Sequence, residues 1–488
     1  MSSYDPALQP EPTMPASESA RVEHTRLRRR MLYGLALADV QARVIRMVGS
    51  ERAAAQGDPD PTGLVFGPLC KSLATLYSPD PPRPSHPDTA GQLVLDAAQE
   101  GGLWDLMIRL QRDTIGLREM LVRVEPVEDP SAPLGWTLAY HRVFPDRVHA
   151  EARKGAADLP GEIWEAIQIE DEDEDVRWGW DVWCITDDVP YHRVYDEDRT
   201  TLVPITMPDG RVVDEESGDL YPYRDESGAP VIPYSLYHAE RTGCLWDPWE
   251  WSEIVEGSLL LAVGWTFWDH ILFHASWPQN YMVGAFIATD TTAEDAGGGV
   301  TAPSRVRVVA DPAKVLVLTT DPESVGQPQI GQFAVGGDPK EVAEAIGIKT
   351  RQLYELAGVD PVSMAKASGD PRSGYAISVG ADQQAKNQRR FGPTFKRGDL
   401  ETLRVSAAVL GSVAGVPLPG RGYTIGYGPP VVADVGGVNG GGGSGGDGAA
   451  GTTAGGDGGA QGGRVNGGAA AGGVGDSQDA GGGVGDPP

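Results

Sequence analysis

Cysteine is almost missing from this chain: Cys70, Cys184 and Cys244 are the only three in 488 residues. They are widely spaced, odd in number and form no CxxC pair, which excludes a disulfide framework and a zinc ribbon and points to assembly in a reducing interior. Lysine is scarce too, eight against 32 arginines, and acidic residues outweigh both, for a net charge of −29. Such a chain lacks the general basic surface that phosphate contacts require, although an acidic wall suits a conduit along which DNA slides. Long apolar runs are absent. The longest, Gly257 to Trp268, has twelve residues and is followed by Asp269, His270 and His274, whereas a membrane span needs ~20. The opening MSSYDPALQPEPTMPASES has no basic start with an apolar core behind it, so no signal peptide is expected. There is no GxxxxGK[ST] phosphate loop and no HExxH, so neither ATP hydrolysis nor that type of zinc hydrolysis is expected. His270 and His274 are spaced i, i+4 on a helical stretch without a third ligand, a pattern of packed histidines. No metal, cofactor or catalytic residue is assigned.

What is present is an ordered succession of segments. Residues 1–17 are polar and Pro-rich and are expected to be disordered. Helical spacing runs from 18 to 55 through Leu32, Leu35, Leu37, Val40, Val44, Ile45 and Val48, with a basic RLRRR read as a solvated first turn. Further helices are expected at 66–77 and 89–110, then alternating strands at 117–125 and 134–144. A β-rich region at 169–237 contains Trp178, Trp180 and Trp183 as sheet packing and an acidic loop tip, EDEDED, at 170–175. The last 54 residues, 435–488, hold 25 glycines and too little apolar bulk to bury a core.

The central third is the most informative. WSEIVEGSLLLAVGWTFWDHILFHAS, at 251–276, is a helical pattern of roughly 39 Å that is apolar around most of its circumference. It is therefore buried by neighbours on more than one side. Gly264 permits a close approach there. After 277–337, which has strand character, DPKEVAEAIGIKTRQLYELAG at 338–358 is a shorter helix. Asp338 is its N-cap, Pro339 is in its first turn and Gly358 is its stop. The polar DPVSMAKASGDPRSGYA follows. Then comes the basic DQQAKNQRRFGPTFKRGDLETL, a helix expected to break or kink at Gly392-Pro393. Between Ser363 and Arg404 the acidic balance reverses, with eight Lys/Arg against four Asp/Glu.

Helix, β insertion, helix, polar loop and basic helix is the order found in portal proteins of tailed bacteriophages. The stretch RSGYAISVGADQQAKNQRRFGPTFKRGDL resembles the segment after the second stem helix in that family, and LYSPDPP at 76–82 is similar to part of its wing. The resemblance covers roughly residues 65–410. It implies an α+β protomer with an α/β wing at 18–250, stem helices at 251–276 and 338–358, a β-rich clip at 277–337, a tunnel loop at 359–380, and a kinked helix with a small crown at 381–434. The implied protein is not an enzyme. It is a homo-dodecameric ring at one capsid vertex of the virion, assembled in the host cytoplasm without a membrane. It passes double-stranded DNA and docks the large terminase, major capsid and scaffolding proteins, and later the head–tail connector.

In the tunnel loop Lys366, Ser368, Gly369, Arg372 and Ser373 would face DNA. Lys386, Arg389, Arg390, Lys396 and Arg397 would contact DNA or pair with acids of the same or the next subunit. Leu260, Trp265, Trp268 and Leu353 would pack between subunits. Two other classes remain open at this stage: another structural virion protein such as a head–tail adaptor, and an intracellular acidic hydrolase.

Overall fold

The computed structural model describes residues 14–428 except 57, 61–62, 79–80, 171–175, 187–188, 207–211, 214–220, 277–279, 284–315, 319–328, 333–337 and 360–373. The chain divides at Asp434, and all described residues precede that point. The acidic tip at 171–175 and the glycine-rich 435–488 lie outside them.

The fold is α+β. The N-terminal part is helical: α1 (Ser19–Leu32), α2 (Leu37–Val48), α3 (Ser50–Gln56), α4 (Phe66–Leu73), then a short β1 (Arg83–Ser85), α5 (Thr89–Glu100) and α6 (Leu103–Leu117). The single helices expected at 18–55 and 89–110 are each divided. Gly34, Gly49 and Gly102 take φ of 74°, 84° and 73°, a left-handed backbone that glycine adopts at little steric cost. The apolar periodicity continues across these turns because both sides of each turn face the same core.

The arginines of α1 overturn the solvated-turn reading. Arg28 is fully buried and Arg21 and Arg29 nearly so. Arg21 donates to the Pro145 and Val148 carbonyls at 2.8 and 2.7 Å. Arg29 pairs with buried Asp146 at 3.0 Å. Arg28 donates to the Gly116 carbonyl at 3.1 Å and to the Glu250 carbonyl. Burial lowers the Arg28 pKa to about 10, with Arg118 adding to the effect. These guanidiniums satisfy carbonyls that would otherwise be stranded in the core.

Two antiparallel sheets follow. β2 (Glu119–Glu128) and β3 (Trp136–Val143) form a hairpin. β4 (Val148–Arg153), β5 (Ala156–Glu170), β6 (Val176–Cys184) and β7 (Tyr191–Asp196) form a four-stranded meander, followed by the small pair β8 (Ile205–Thr206) and β9 (Val212–Val213). β10 (Tyr234–His238) returns to the other edge of β2, giving the order β10-β2-β3. Trp178, Trp180 and Trp183 on β6 are buried, and Trp183 stacks at 3.6 Å on His192.

The long helix α7 (Ser252–Ser276) leads to a small mixed sheet of β11 (Asn280–Val283), β12 (Leu316–Leu318) and β13 (Gln329–Gln332), and the chain returns through α8 (Pro339–Leu356). The Asp338 carboxylate caps α8, accepting from Lys340 N at 2.8 Å. Last come α9 (Gly374–Ala414) and β14 (Thr424–Gly426), which pairs with β1.

The expected break at Gly392-Pro393 does not occur: α9 runs through Pro393 for 41 residues. Proline removes one helical hydrogen bond. However, Phe391 and Phe395 on either side are fully buried, and their burial keeps the helix continuous across the proline. From Phe391 onward α9 packs its apolar side into the core formed with the β10-β2-β3 sheet, α5 and α6. Among the described residues, no helix is long and apolar enough to cross a membrane.

Candidate functional site

α7 and α8 form an antiparallel hairpin. Gly257 meets Leu353, Gly264 meets Ile346, and Trp268 Nε1 donates to the Pro339 carbonyl at 2.8 Å. The contacts descend along α8 as they rise along α7. Leu261, Ile346 and Leu353 make a buried cluster between the helices, with Trp265, Trp268 and Val342 packed on it. Trp265 and Trp268 meet edge to face at 5.1 Å.

Of the four residues expected to pack between subunits, Leu353, Trp265 and Trp268 are thus engaged within the chain. Leu260 is 51% exposed. It lies in an open groove of about 670 Å³ running along the hairpin, walled by Gly257 and Leu261 from α7 and by Val342, Ala345, Leu353 and Leu356 from α8. Ile348 and Leu356, both 54% exposed, extend the apolar surface. Glu253, Glu341 and Lys349 supply its charge. Contiguous apolar surface of this kind is a candidate interaction face.

The five basic residues of α9 fall within an arc of about 120°, counting 100° per residue. The structure divides them. Arg390 is committed inside the chain: it binds Glu240 at 2.5–2.6 Å, donates to the Ala357 carbonyl at 2.8 Å and covers Trp251 at 5.4 Å. Arg397 binds Asp158 at 2.6 Å, and that bond holds the Asp158 carboxyl below its usual range. Lys386, Arg389 and Lys396 are exposed, and none forms an ion pair among the described residues. They are the part of the stripe open to a polyanion.

Arg390 belongs to a junction that sequence inspection did not reveal. Arg118 also lies over the Trp251 ring, at 4.9 Å, and pairs with Glu250 and with Glu240, the latter at 3.6 Å. Arg118 and Trp251 have φ of 78° and 66°, a region that non-glycine residues enter only when packing over-determines them. Burial resists ionisation of Glu240, but Arg118 and Arg390 outweigh it and keep the carboxyl below its ordinary pKa. The start of α7, the end of α8, the chain after β10 and the middle of α9 are joined at this one cluster. Nothing in the linear order of Arg118, Glu240, Trp251 and Arg390 announces the contact.

A second unforeseen centre is Asp399 on α9, fully buried. Its carboxylate accepts from Tyr77 at 2.9 and 3.0 Å, Tyr237 at 3.1 Å and Tyr427 at 2.7 Å. Burial raises its pKa to about 7, and the three hydroxyls pull the other way. No cation faces it among these partners. A signal was present in the sequence: Phe391, Phe395, Asp399 and Leu403 recur every four residues, so a helix must bury the aspartate with the phenylalanines.

The arrangement is one of packing and charge. The buried Asp181–His192 pair, at 2.6 Å, is sealed under Trp183, leaving no room for a substrate on that ring. Among the described residues, no group of three or more His, Cys, Asp or Glu side chains is placed to hold a metal ion. The loop residues Lys366, Ser368, Gly369, Arg372 and Ser373 lie outside the described residues. No protein-family model matches the chain, and no curated protein matches it.

Proposed function

We propose that this chain is the protomer of a tailed-phage portal: a closed ring at one capsid vertex through which DNA enters and leaves. The observation that carries the reading is the α7–α8 hairpin, with a small sheet inserted between its helices and an apolar groove left open along its side. A protomer that exposes Leu260, Ile348 and Leu356 on two long paired helices is incomplete alone. Repeating it around an axis covers that surface.

On this reading residues 18–250 form the wing, α7 and α8 the stem, 277–337 the clip, and 381–434 the tunnel helix with a small crown. The tunnel loop, expected at 359–380, is shortened by α9, which begins at Gly374; on this reading its remaining part faces the bore and presents Lys366 and Arg372 to DNA phosphates. The net charge of −29 per chain gives the bore an acidic wall with low affinity for DNA, so that the duplex slides. Lys386, Arg389 and Lys396 are local contacts that retard backsliding. The terminase, the scaffold and capsid proteins, and later the head–tail connector are its partners. The protein's work is mechanical and electrostatic, with no bond made or broken.

The test is the mass and shape of the purified protein by sedimentation and negative-stain microscopy. Annular particles with an open centre are expected. A chain that stays monomeric with its scaffold and capsid proteins present would overturn the proposal.

A further inference from the structure

We propose that the α7–α8 groove is filled by the exposed face of α2 from a second copy of this chain. The inference rests on the ring reading and specifies its contact. A ring of more than two copies closes only through heterologous interfaces, in which one patch meets a different patch on the neighbour. The groove therefore needs a complement elsewhere on the same surface.

α2 supplies one. Val40 and Val44 face the core, while Ile45, 41% exposed, and the exposed Ala38 and Ala42 fall within an arc of about 60° turned away from them. This helix does not reach its own groove with that side. Its core face, Val40 and Val44, lies in one buried cluster with Leu259, Ala262 and Val263 of α7, and Arg43 pairs with Glu256 of α7. Ile45, two residues on, is turned about 200° away from Arg43 around the axis.

The dimensions agree. The twelve residues of α2 extend about 18 Å, and the groove wall from Glu341 to Leu356 extends about 22 Å, at 1.5 Å per residue. Small residues in the stripe, Ala38 and Ala42, let a helix axis come close to the groove floor at Gly257. The charges are complementary: Arg46 is exposed beside the stripe on α2, and Arg52 is exposed on the following α3. Glu253 and Glu341 stand in the groove, with Lys349 as its one cation, and neither carboxylate forms an ion pair among the described residues.

The experiment uses the full chain with exposed Cys244 replaced by serine; Cys70 and Cys184 are buried. Ile45→Cys and Leu260→Cys are made separately, assembled alone and mixed, and treated with a mild oxidant. Cross-linked dimers are expected in the mixture and in neither variant alone. Rings without a mixed cross-link, or a Leu260→Cys variant that cross-links to itself, would overturn the α2 assignment while leaving the ring intact. No assembly under any condition would overturn the ring reading and this inference together.

A charge exchange provides an independent check. Arg46→Glu and Glu341→Arg should each weaken assembly by roughly tenfold, as loss of a rim charge pair does. Their combination should restore it. Restoration failing in otherwise intact rings counts against the pairing.

Discussion

Gly257 and Leu353 fix the spacing of the two long helices. A β-carbon at 257 would fall 2.5 Å from Leu353 Cδ2 and 3.2 Å from Cδ1, closer than packed atoms come. Alanine at 257 gains about 1 kcal/mol of helix propensity and must displace the leucine methyls. The double variant Gly257→Ala/Leu353→Ala relieves that clash. A double-mutant cycle in urea is expected to give a coupling of about 1 kcal/mol; simple additivity would mean that the helices do not meet at this pair.

Arg390 and its basic neighbours should separate cleanly. Arg390→Ala leaves Glu240 with Arg118 as its cation, removes a donor from the Ala357 carbonyl and uncovers Trp251; the ion pair is partly open to solvent, so we expect a loss of about 1 kcal/mol in chemical unfolding. Arg390→Lys should recover little, because an ammonium cannot serve the carboxylate, the carbonyl and the ring at once. The triple change Lys386→Ala/Arg389→Ala/Lys396→Ala should leave stability within about 0.5 kcal/mol and weaken retention of DNA by assembled particles.

Asp399 predicts a pH dependence with a definite sign. Its pKa is raised from 3.8 to about 7 by burial, so between those values the folded state holds a proton that the unfolded state has released. Its contribution is therefore complete below about pH 4 and is lost as pH rises through 7. The slope approaches about 1.4 kcal/mol per pH unit at most. Asp399→Asn should flatten the stability–pH curve in that window relative to the native protein. Glu119, raised to about 8 by burial, contributes in the same direction and remains in both proteins, so the difference curve isolates Asp399. Parallel curves would show that Asp399 titrates normally.

Leu260→Glu tests the groove from the other side. Leu260 is half exposed in the single chain, so the protomer's unfolding midpoint should hardly move. A carboxylate placed in a contact that loses its water should abolish assembly. Sedimentation reads both states: a well-folded monomer is expected, and unchanged rings would place the subunit contact elsewhere.

Some of the fold was legible because it depends on local chemistry. The α7 pattern, the Asp338 cap with Pro339 behind it, and the buried tryptophans of β6 were all readable from spacing and residue type. The helix divisions at Gly34, Gly49 and Gly102 were missed because apolar periodicity continues through a turn when both segments share one core. The burial of Arg21, Arg28 and Arg29 was missed because their carbonyl partners, at Gly116, Pro145, Val148 and Glu250, are distant in the chain. Pro393 looked like a break because sequence shows the lost hydrogen bond, but the burial of Phe391 and Phe395 that outweighs it is not visible there.

By itself, then, the sequence determined what each segment contributes: apolar stripes at helical spacing, caps, an acidic balance with one basic stretch, and the absence of metal and phosphate-loop motifs. These depend on neighbours within a few residues. The tertiary structure alone decided which charges are committed and which are open. Arg390 and Arg397 are tied to Glu240 and Asp158 across more than a hundred residues of chain, whereas Lys386, Arg389 and Lys396, on the same face of the same helix, form no ion pair among the described residues. It also decided that Leu353, Trp265 and Trp268 close the hairpin while Leu260 faces outward. The physical reason is the same in both cases: burial and pairing are properties of position in space, and the helical period fixes only direction around an axis, not what the fold places opposite.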